Sequence, residues 1–415
     1  MLGAMDAAAF TCQTLPAMRP QLRVAMVTET YPPEVNGVAM TLGRLVDGLQ
    51  VRNHQVQLIR PRQHVDDQPQ PTATLSEHLQ RGIALPRYDG LKMGLPAKAA
   101  LTKLWTLQRP DVVQIATEGP LGWSALAVAN KLRLPVASDF HTNFHSYSSH
   151  YGMGLLRRAI VAYLRKFHNK AAVTLVPTEG IRRELLASGY ENLEVIGRGV
   201  DTRLFHPGRR DAALRAQWGV REGETVALYV GRLAAEKNLA LVFSAYDAMR
   251  EADPAVRLVL VGDGPERASW QAKRPDAVFC GTQVGDTLAA HYASADVFLF
   301  PSLTETWGNV TIEAMASGLA VVAYDCAAAE EVIRHGENGL KAPPEDAAVF
   351  VTQAVSLATA APLRQRLGSA AAARAAQLSW DAIVDAFECV LLRLAQAHTT
   401  PADAPLVWSS VTHSG

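Results

Sequence analysis

The chain has 415 residues, 48% of them hydrophobic, which is more than one ordinary core holds, so two domains are expected. Lys+Arg and Asp+Glu number 40 each, and this zero net charge excludes a general nucleic-acid binder with a global basic excess. Cys12, Cys280, Cys326 and Cys389 form no C-x-x-C or Cys/His metal spacing and read as small buried hydrophobes in a reducing compartment.

Residues 1–21 lack a basic-then-apolar signal pattern and read as a disordered leader, with Met1 and Met18 both candidate starts. No apolar run reaches the roughly 18 residues of a membrane span. Short apolar strands then alternate with helical patterns: "RVAMVT" (23–28), "VQLI" (56–59), "GIALP" (82–86), "DVVQIA" (111–116), "PVASDF" (135–140), "AVTLVP" (172–177) and "LEVIG" (193–197). Each run is continuously apolar, as in a parallel sheet covered on both faces. The first domain is therefore a doubly wound α/β unit over 22–204. "DTRLFHPGRRD" (201–211) breaks the rhythm and marks the boundary. A second series fills 205–378: "TVALYVG" (225–231), "VRLVLVG" (256–262), "AVFCG" (277–281), "ADVFLF" (295–300) and "LAVVAYD" (319–325). A helix over 379–396 puts Ile383, Val384, Phe387, Val390, Leu391 and Leu394 on one face, and 397–415 reads as a disordered tail.

Two Rossmann-like domains facing one another enclose a central cleft, and ligands of such sheets bind beyond the carboxyl ends of the strands. The strand ends hold the residues that carry chemistry. Arg232 and Lys237 follow the first strand of the second domain, where two cations beside a helix start suit a pyrophosphate; the plain alternative is a solvated basic loop. In "PSLTETWGNVTIEAMASG" (301–318), a helix beginning near Gly308–Asn309 offers free backbone N–H groups to a phosphate. Glu313 is expected in its first turn, accepting hydroxyl hydrogen bonds or merely complementing the helix dipole. Glu305 lies before the helix and has no dipole to complement. His141 follows a strand in the company of Asp139 and Asn143, although a lone histidine is more often structural. Gly37 sits where a loop approaches a ligand or simply turns. "GDGPE" (262–266) lacks the third glycine of G-x-G-x-x-G, which disfavours a nicotinamide dehydrogenase. No D-x-D triplet is present to clamp a metal-bound nucleotide sugar, so neither a metal nor a cofactor is expected.

"GRLAAEKN", "VGDGP", the pair Glu305 and Glu313, "EAMASGLAVVA" and "GRGVDTRLFHP" together resemble the family 4 retaining glycosyltransferases of the GT-B fold, over roughly residues 22–395. The resemblance implies a metal-independent hexosyltransferase. Arg232 and Lys237 would hold the donor diphosphate, Glu313 the ribose hydroxyls and Glu305 the donor-sugar hydroxyls. Backbone at Gly308, Asn309 and Val310 would line the phosphate and sugar. Gly262 and Asp263 complete the donor set, His141 would touch the sugar from the first domain, and Gly37 would face the phosphates. The last helix would cross back to the first domain. "FHTNF", "RGVD" and "PSLTETWGNV" resemble bacterial GDP-mannose-dependent mannosyltransferases and lipid glycosyltransferases of the sulfolipid-synthase kind. The implied partners are a nucleotide-diphosphate sugar and a lipid or saccharide acceptor, with no nucleic acid. The rivals are a nucleotide-sugar epimerase or hydrolase and a catalytically dead sugar-nucleotide-binding module. The intact set of His141, Arg232, Lys237, Glu305 and Glu313 speaks against the last.

One further segment, "GMGLLRRAIVAYLRKFHNKA" (152–171), forms an apolar stripe on a helical period: Leu155, Leu156, Ala159, Ile160, Tyr163, Leu164 and Phe167. Arg157, Arg158, Arg165 and Lys166 fall largely outside it. It reads as a basic amphipathic helix lying on an anionic membrane, so the expected location is cytoplasmic and peripheral at the inner face of the plasma membrane. The plain alternative is a helix packed on the sheet with a solvated basic face.

Overall fold

The computed structural model describes residues 20–34, 36–84, 92–141 and 154–398. Two parallel sheets organise them. In the first, β1 (Arg23–Val27), β2 (Gln55–Pro61), β3 (Leu75–Gln80), β6 (Val112–Ile115), β7 (Val136–Asp139), β8 (Val173–Val176) and β9 (Leu193–Val195) run in the order β3-β2-β1-β6-β7-β8-β9. In the second, β10 (Val226–Val230), β11 (Arg257–Val261), β12 (Val278–Phe279), β13 (Val297–Phe300), β14 (Ala320–Tyr324) and β15 (Leu340–Ala342) run β12-β11-β10-β13-β14-β15. Every neighbouring pair in both sheets is parallel. The central strands are buried along nearly their whole length, which is why their sequences are continuous apolar runs.

"GIALP" is not a strand of the main sheet. β4 (Gly82–Ala84) pairs antiparallel with β5 (Lys92–Gly94) in a separate ribbon, and two of its three residues are exposed. Both sheets reverse their order at the first strand, between β1 and β6 and between β10 and β13. These switch points place a crevice at the carboxyl ends of both central strands.

Helices cover the faces: α1 (Gly37–Val51), α2 (Lys98–Leu107), α3 (Pro120–Lys131), α4 (Gly154–His168) and α5 (Glu179–Ala187) on the first sheet. On the second are α6 (Ala212–Gln217), α7 (Leu239–Ala252), α8 (Arg267–Lys273), α9 (Gly285–Ser294), α10 (Asn309–Ala316), α11 (Ala327–Val332), α12 (Ala347–Thr359) and α13 (Ala361–Ala375). The last helix, α14 (Trp380–His398), packs on the first sheet's core. Val384, Phe387, Val390 and Leu391 join Leu42, Leu45 and Leu49 of α1 there. A Cβ at Gly48 would stand 2.5 Å from Val384, so the missing side chain lets the two helices close. The contact is pinned by a buried polar chain. The Leu22 N–H donates to His54 Nδ1 at 3.0 Å, which leaves Nε2 to donate to Glu388 at 2.9 Å.

A second link between the halves runs through α5. The Glu331 carboxylate, on α11, accepts from the Glu179 N–H at 2.6 Å, and Arg183 pairs with Glu330 at 2.5 Å. Of the cysteines, Cys280 and Cys326 are half-buried, but Cys389 is exposed, contrary to expectation, because it lies on the outer face of α14. The expected leader, the tail and Cys12 lie outside the described residues, and among those described no single helix is long and apolar enough to cross a membrane.

Candidate active site

The loops after β10 and β11 pack tightly enough to demand glycine. A Cβ on Gly262 would sit 1.9 Å from the Gly231 carbonyl oxygen, and one on Gly264 would sit 2.4 Å from that of Leu233. Gly262 also holds a φ of 133°. The Leu233 N–H donates to the Asp263 carbonyl at 2.9 Å, so the two strand-end loops move as one. Asp263 spends its carboxylate within its own turn, on the Gly264 N–H and on Arg267 at 2.7 Å; these bonds hold it below the ordinary aspartate range.

Above this floor stand Arg232 and Lys237. The Arg232 guanidinium is half exposed, 3.5 Å from Glu236. Lys237 ends a short 3-10 turn, Ala235–Lys237, and its Nζ forms an ion pair with Glu305 Oε1. The Ser302 hydroxyl donates to the same carboxylate oxygen at 2.9 Å. Lys237 and Glu305 thus meet across 68 residues of sequence, each with only a minor part of its side chain exposed.

The helix α10 begins where its sequence suggested. Gly308, at φ 87° and ψ 70°, is its N-cap, a left-handed conformation that glycine takes without strain. Its side is bare, so no side chain caps the first N–H groups of α10. Asn309 and Val310 therefore present a positive helix end. Across the cleft lies the start of α1: a Cβ on Gly37 would come 3.8 Å from Asn309 Nδ2. The N-termini of two helices, one from each domain, face each other here.

Glu313 departs from expectation. It is not in the first turn of α10, which holds no acidic residue, but in the second. Its carboxylate accepts from the Tyr292 hydroxyl of α9 at 2.9 Å. Burial pushes it up to about 7, against the lowering effect of that hydrogen bond. It is a carboxyl held partly desolvated behind the helix end rather than a complement to its dipole. Nothing local in the sequence signalled Tyr292 or Ser302 as partners.

On the first domain's side, His141 follows β7. Its Nε2 lies 3.6 Å from Asp139 Oδ2, and both side chains are largely buried. Arg198 lies close enough for its charge to act on Asp139, although its own guanidinium donates to the Ile196 and Gly197 carbonyls at 2.9 and 3.1 Å. Asn143 falls outside the described residues. Gly37, Arg232, Lys237, Glu305, Gly308, Asn309 and Val310 thus gather at the crevice, with Glu313 behind them. Asp263 lies on its floor with its carboxylate already engaged.

Residues 35–204 match the family described as Glycosyltransferase Family 4, and residues 224–360 match Glycosyl transferases group 1. The chain is 34% identical over 372 residues to a GDP-mannose-dependent alpha-mannosyltransferase of Mycobacterium tuberculosis (strain CDC 1551 / Oshkosh), covering 88% of this chain and 94% of that one. The chain belongs to glycosyltransferase family 4. This transferase is also 27% identical over 340 residues to the alpha-monoglucosyldiacylglycerol synthase of Acholeplasma laidlawii, covering 77% and 84% of the two chains. A sucrose-phosphate synthase from Thermosynechococcus elongatus superposes with a TM-score of 0.73 at 19% identity, covering 91% of this chain and 100% of that one. The fold is GT-B, and the enzyme is a hexosyltransferase.

The structure divides the stripe expected to face a membrane. On α4, Leu164 and Phe167 are buried, at 6% and 0% exposure, and Ile160 packs with Phe140, Val176 and Leu185. Of the stripe's described side chains, Ile160, Leu164 and Phe167 pack into the first domain's own core, whereas Ala159 is exposed. Tyr163 remains exposed, its hydroxyl donating to the Glu118 carbonyl at 2.8 Å. Arg165 and Lys166 are exposed; the side chains of Leu155, Leu156, Arg157 and Arg158 lie outside the described ones.

Proposed function

We propose that the enzyme is a retaining transferase moving mannose from GDP-mannose to a hydroxyl of a lipid acceptor such as diacylglycerol. The observation that carries the transfer chemistry is the Lys237–Glu305 pair beside the uncapped start of α10. In the reaction the bond between the anomeric carbon and the diphosphate oxygen breaks, and the departing diphosphate gains negative charge. Arg232, Lys237 and the N–H groups of Asn309 and Val310 stabilise that charge from fixed positions, the electrostatic contribution that often dominates such catalysis. Glu305, tethered by Lys237 and Ser302, accepts from donor-sugar hydroxyls. Glu313 accepts from the ribose hydroxyls. His141, whose Nε2 lies 3.6 Å from Asp139, reaches the sugar from the other domain. The leaving phosphate accepts the proton of the acceptor hydroxyl, which attacks from the same face and so retains configuration.

The mycobacterial relative's name supports mannose and guanine, and the diacylglycerol synthase supports a lipid acceptor. Charge supports an anionic surface: residues 22–204 hold 22 Lys and Arg against 15 Asp and Glu, although the whole chain is neutral. With Ile160, Leu164 and Phe167 packed inward, docking rests on exposed cations such as Arg165 and Lys166 rather than on insertion of those three side chains. The enzyme then works in the cytoplasm, at the inner face of the plasma membrane.

The test is product analysis. Purified enzyme receives GDP-mannose or UDP-glucose with diacylglycerol in anionic vesicles or with soluble saccharides, and anomeric configuration is read by NMR. An α-mannosyl lipid supports the reading. An inverted product sinks the mechanism, and exclusive transfer to soluble saccharides sinks the lipid acceptor. Flotation with anionic vesicles, abolished by charge reversal of Arg157, Arg158, Arg165 and Lys166, tests the location. An epimerase would instead alter the nucleotide sugar without acceptor.

A further inference from the structure

On the edge of the first sheet opposite the cleft, where β7 and β8 begin, lies a cavity of about 390 Å³. Asn130 from the last turn of α3, Arg133 from the turn that follows, Lys170 from the loop before β8 and His398 at the end of α14 line it. Pro135 and Ala171 belong to its apolar part. Among the described residues, no carboxylate lines it. Among the described residues, the Arg133, Lys170 and His398 side chains make no ion pair and no hydrogen bond.

The backbone at Arg133 supplies an independent observation. The helix α3 ends in a Schellman turn: Arg133 N–H donates to Asn130 O at 3.2 Å and Leu134 N–H to Ala129 O at 2.8 Å. The residue between them must take the left-handed conformation, and Arg133 does so at φ 53°. Four other helices of this chain end in the same pair of hydrogen bonds. Three place glycine at that position, Gly189, Gly219 and Gly318, and one places Asn53. Those residues tolerate the conformation at little cost, whereas a long side chain with a β-carbon does not. The strained turn is held from outside, because the Arg109 guanidinium donates to the Leu132 and Arg133 carbonyls at 2.9 and 3.2 Å. A residue kept in strain where glycine would serve points to a use for its side chain. Arg133 is one of the residues that line the cavity.

We infer that this cavity is a binding site for a phosphate group, distinct from the donor site and on the side of the first domain that faces away from the cleft. A guanidinium matches phosphate oxygens in a bidentate fork, an ammonium adds a point charge, and Asn130 and His398 offer further N–H donors. The phosphate belongs either to a lipid headgroup or to a soluble phosphorylated compound.

The experiment uses the full chain carrying Arg232→Ala and Lys237→Ala, which weakens phosphate binding in the cleft. Inorganic phosphate should raise its melting temperature, against sodium chloride of equal ionic strength. Adding Lys170→Glu or Arg133→Gly should abolish the rise. Arg133→Gly should itself melt at or above its parent, because glycine relieves the turn. Flotation is then compared between vesicles of phosphatidylcholine alone and an equimolar mixture with phosphatidic acid. Flotation with the mixture, lost in the same variants, assigns the phosphate to a lipid; a phosphate response without flotation assigns it to a soluble compound. No response to phosphate or to phosphatidic acid, or a response that survives both substitutions, overturns the site. A lower melting temperature for Arg133→Gly overturns the argument from strain.

Discussion

Replacing Glu313 by Gln should stabilise the protein at alkaline pH and do little at acid pH. An unfolded glutamate titrates near 4.5, whereas burial holds Glu313 up to about 7. Below 4.5 both states are protonated. Between 4.5 and 7 the folded state keeps a proton that the unfolded state has lost, so stability falls as pH rises through this window. At about 1.36 kcal/mol per pH unit, the ceiling on the loss is roughly 3 kcal/mol. Glu313 keeps some solvent contact, so about 1–2 kcal/mol is the expected size. Glutamine removes this dependence while its side-chain oxygen still accepts from Tyr292. For a domain of this size the gain corresponds to roughly 2–8 °C in Tm. Calorimetry of both proteins from pH 4.5 to 8.5, following the transition of the second domain, provides the measurement. A Tm difference that does not vary with pH, or a variant less stable than wild type at pH 8, would refute the reasoning. A second readout concerns the donor. In the proposed role, ribose hydroxyls donate to the ionised carboxylate, so wild-type donor affinity should rise as pH passes through about 7, and the Gln variant should lack that rise.

Lys237→Ala and Arg232→Ala should each lower kcat by about 10²–10³ without unfolding the protein, and near-wild-type turnover in both would remove the diphosphate assignment. Activity should survive EDTA, since among the described residues no group of three His, Cys, Asp or Glu could hold a metal ion; loss in chelator restored by Mg²⁺ or Mn²⁺ contradicts this. Gly262→Ala should cost about 3 kcal/mol or more, because its Cβ meets the Gly231 carbonyl at 1.9 Å in a left-handed backbone; a Tm within about 2 °C of wild type would show that the two loops part easily.

Much of this protein was legible in its sequence. Parallel strands buried on both faces must be continuously apolar, so β1, β6, β10, β13 and β14 announced themselves, and their ends located the crevice. Gly308 marked the start of α10 because a left-handed N-cap favours glycine. Other features depend on atoms brought together from afar. Glu313 looked like a first-turn dipole partner until Tyr292, 21 residues earlier, closed over it and burial raised its proton affinity. The amphipathic period of α4 recorded one apolar face but not its occupant, and only packing showed that Leu164 and Phe167 face the sheet rather than a membrane. "GIALP" has the composition of a core strand, yet composition does not choose a neighbour, and it pairs in a ribbon instead. Periodicity and backbone conformation are local properties that a sequence carries along its length. Partner identity, desolvation and charge environment are set by which surfaces meet, and those are fixed only when the chain closes on itself.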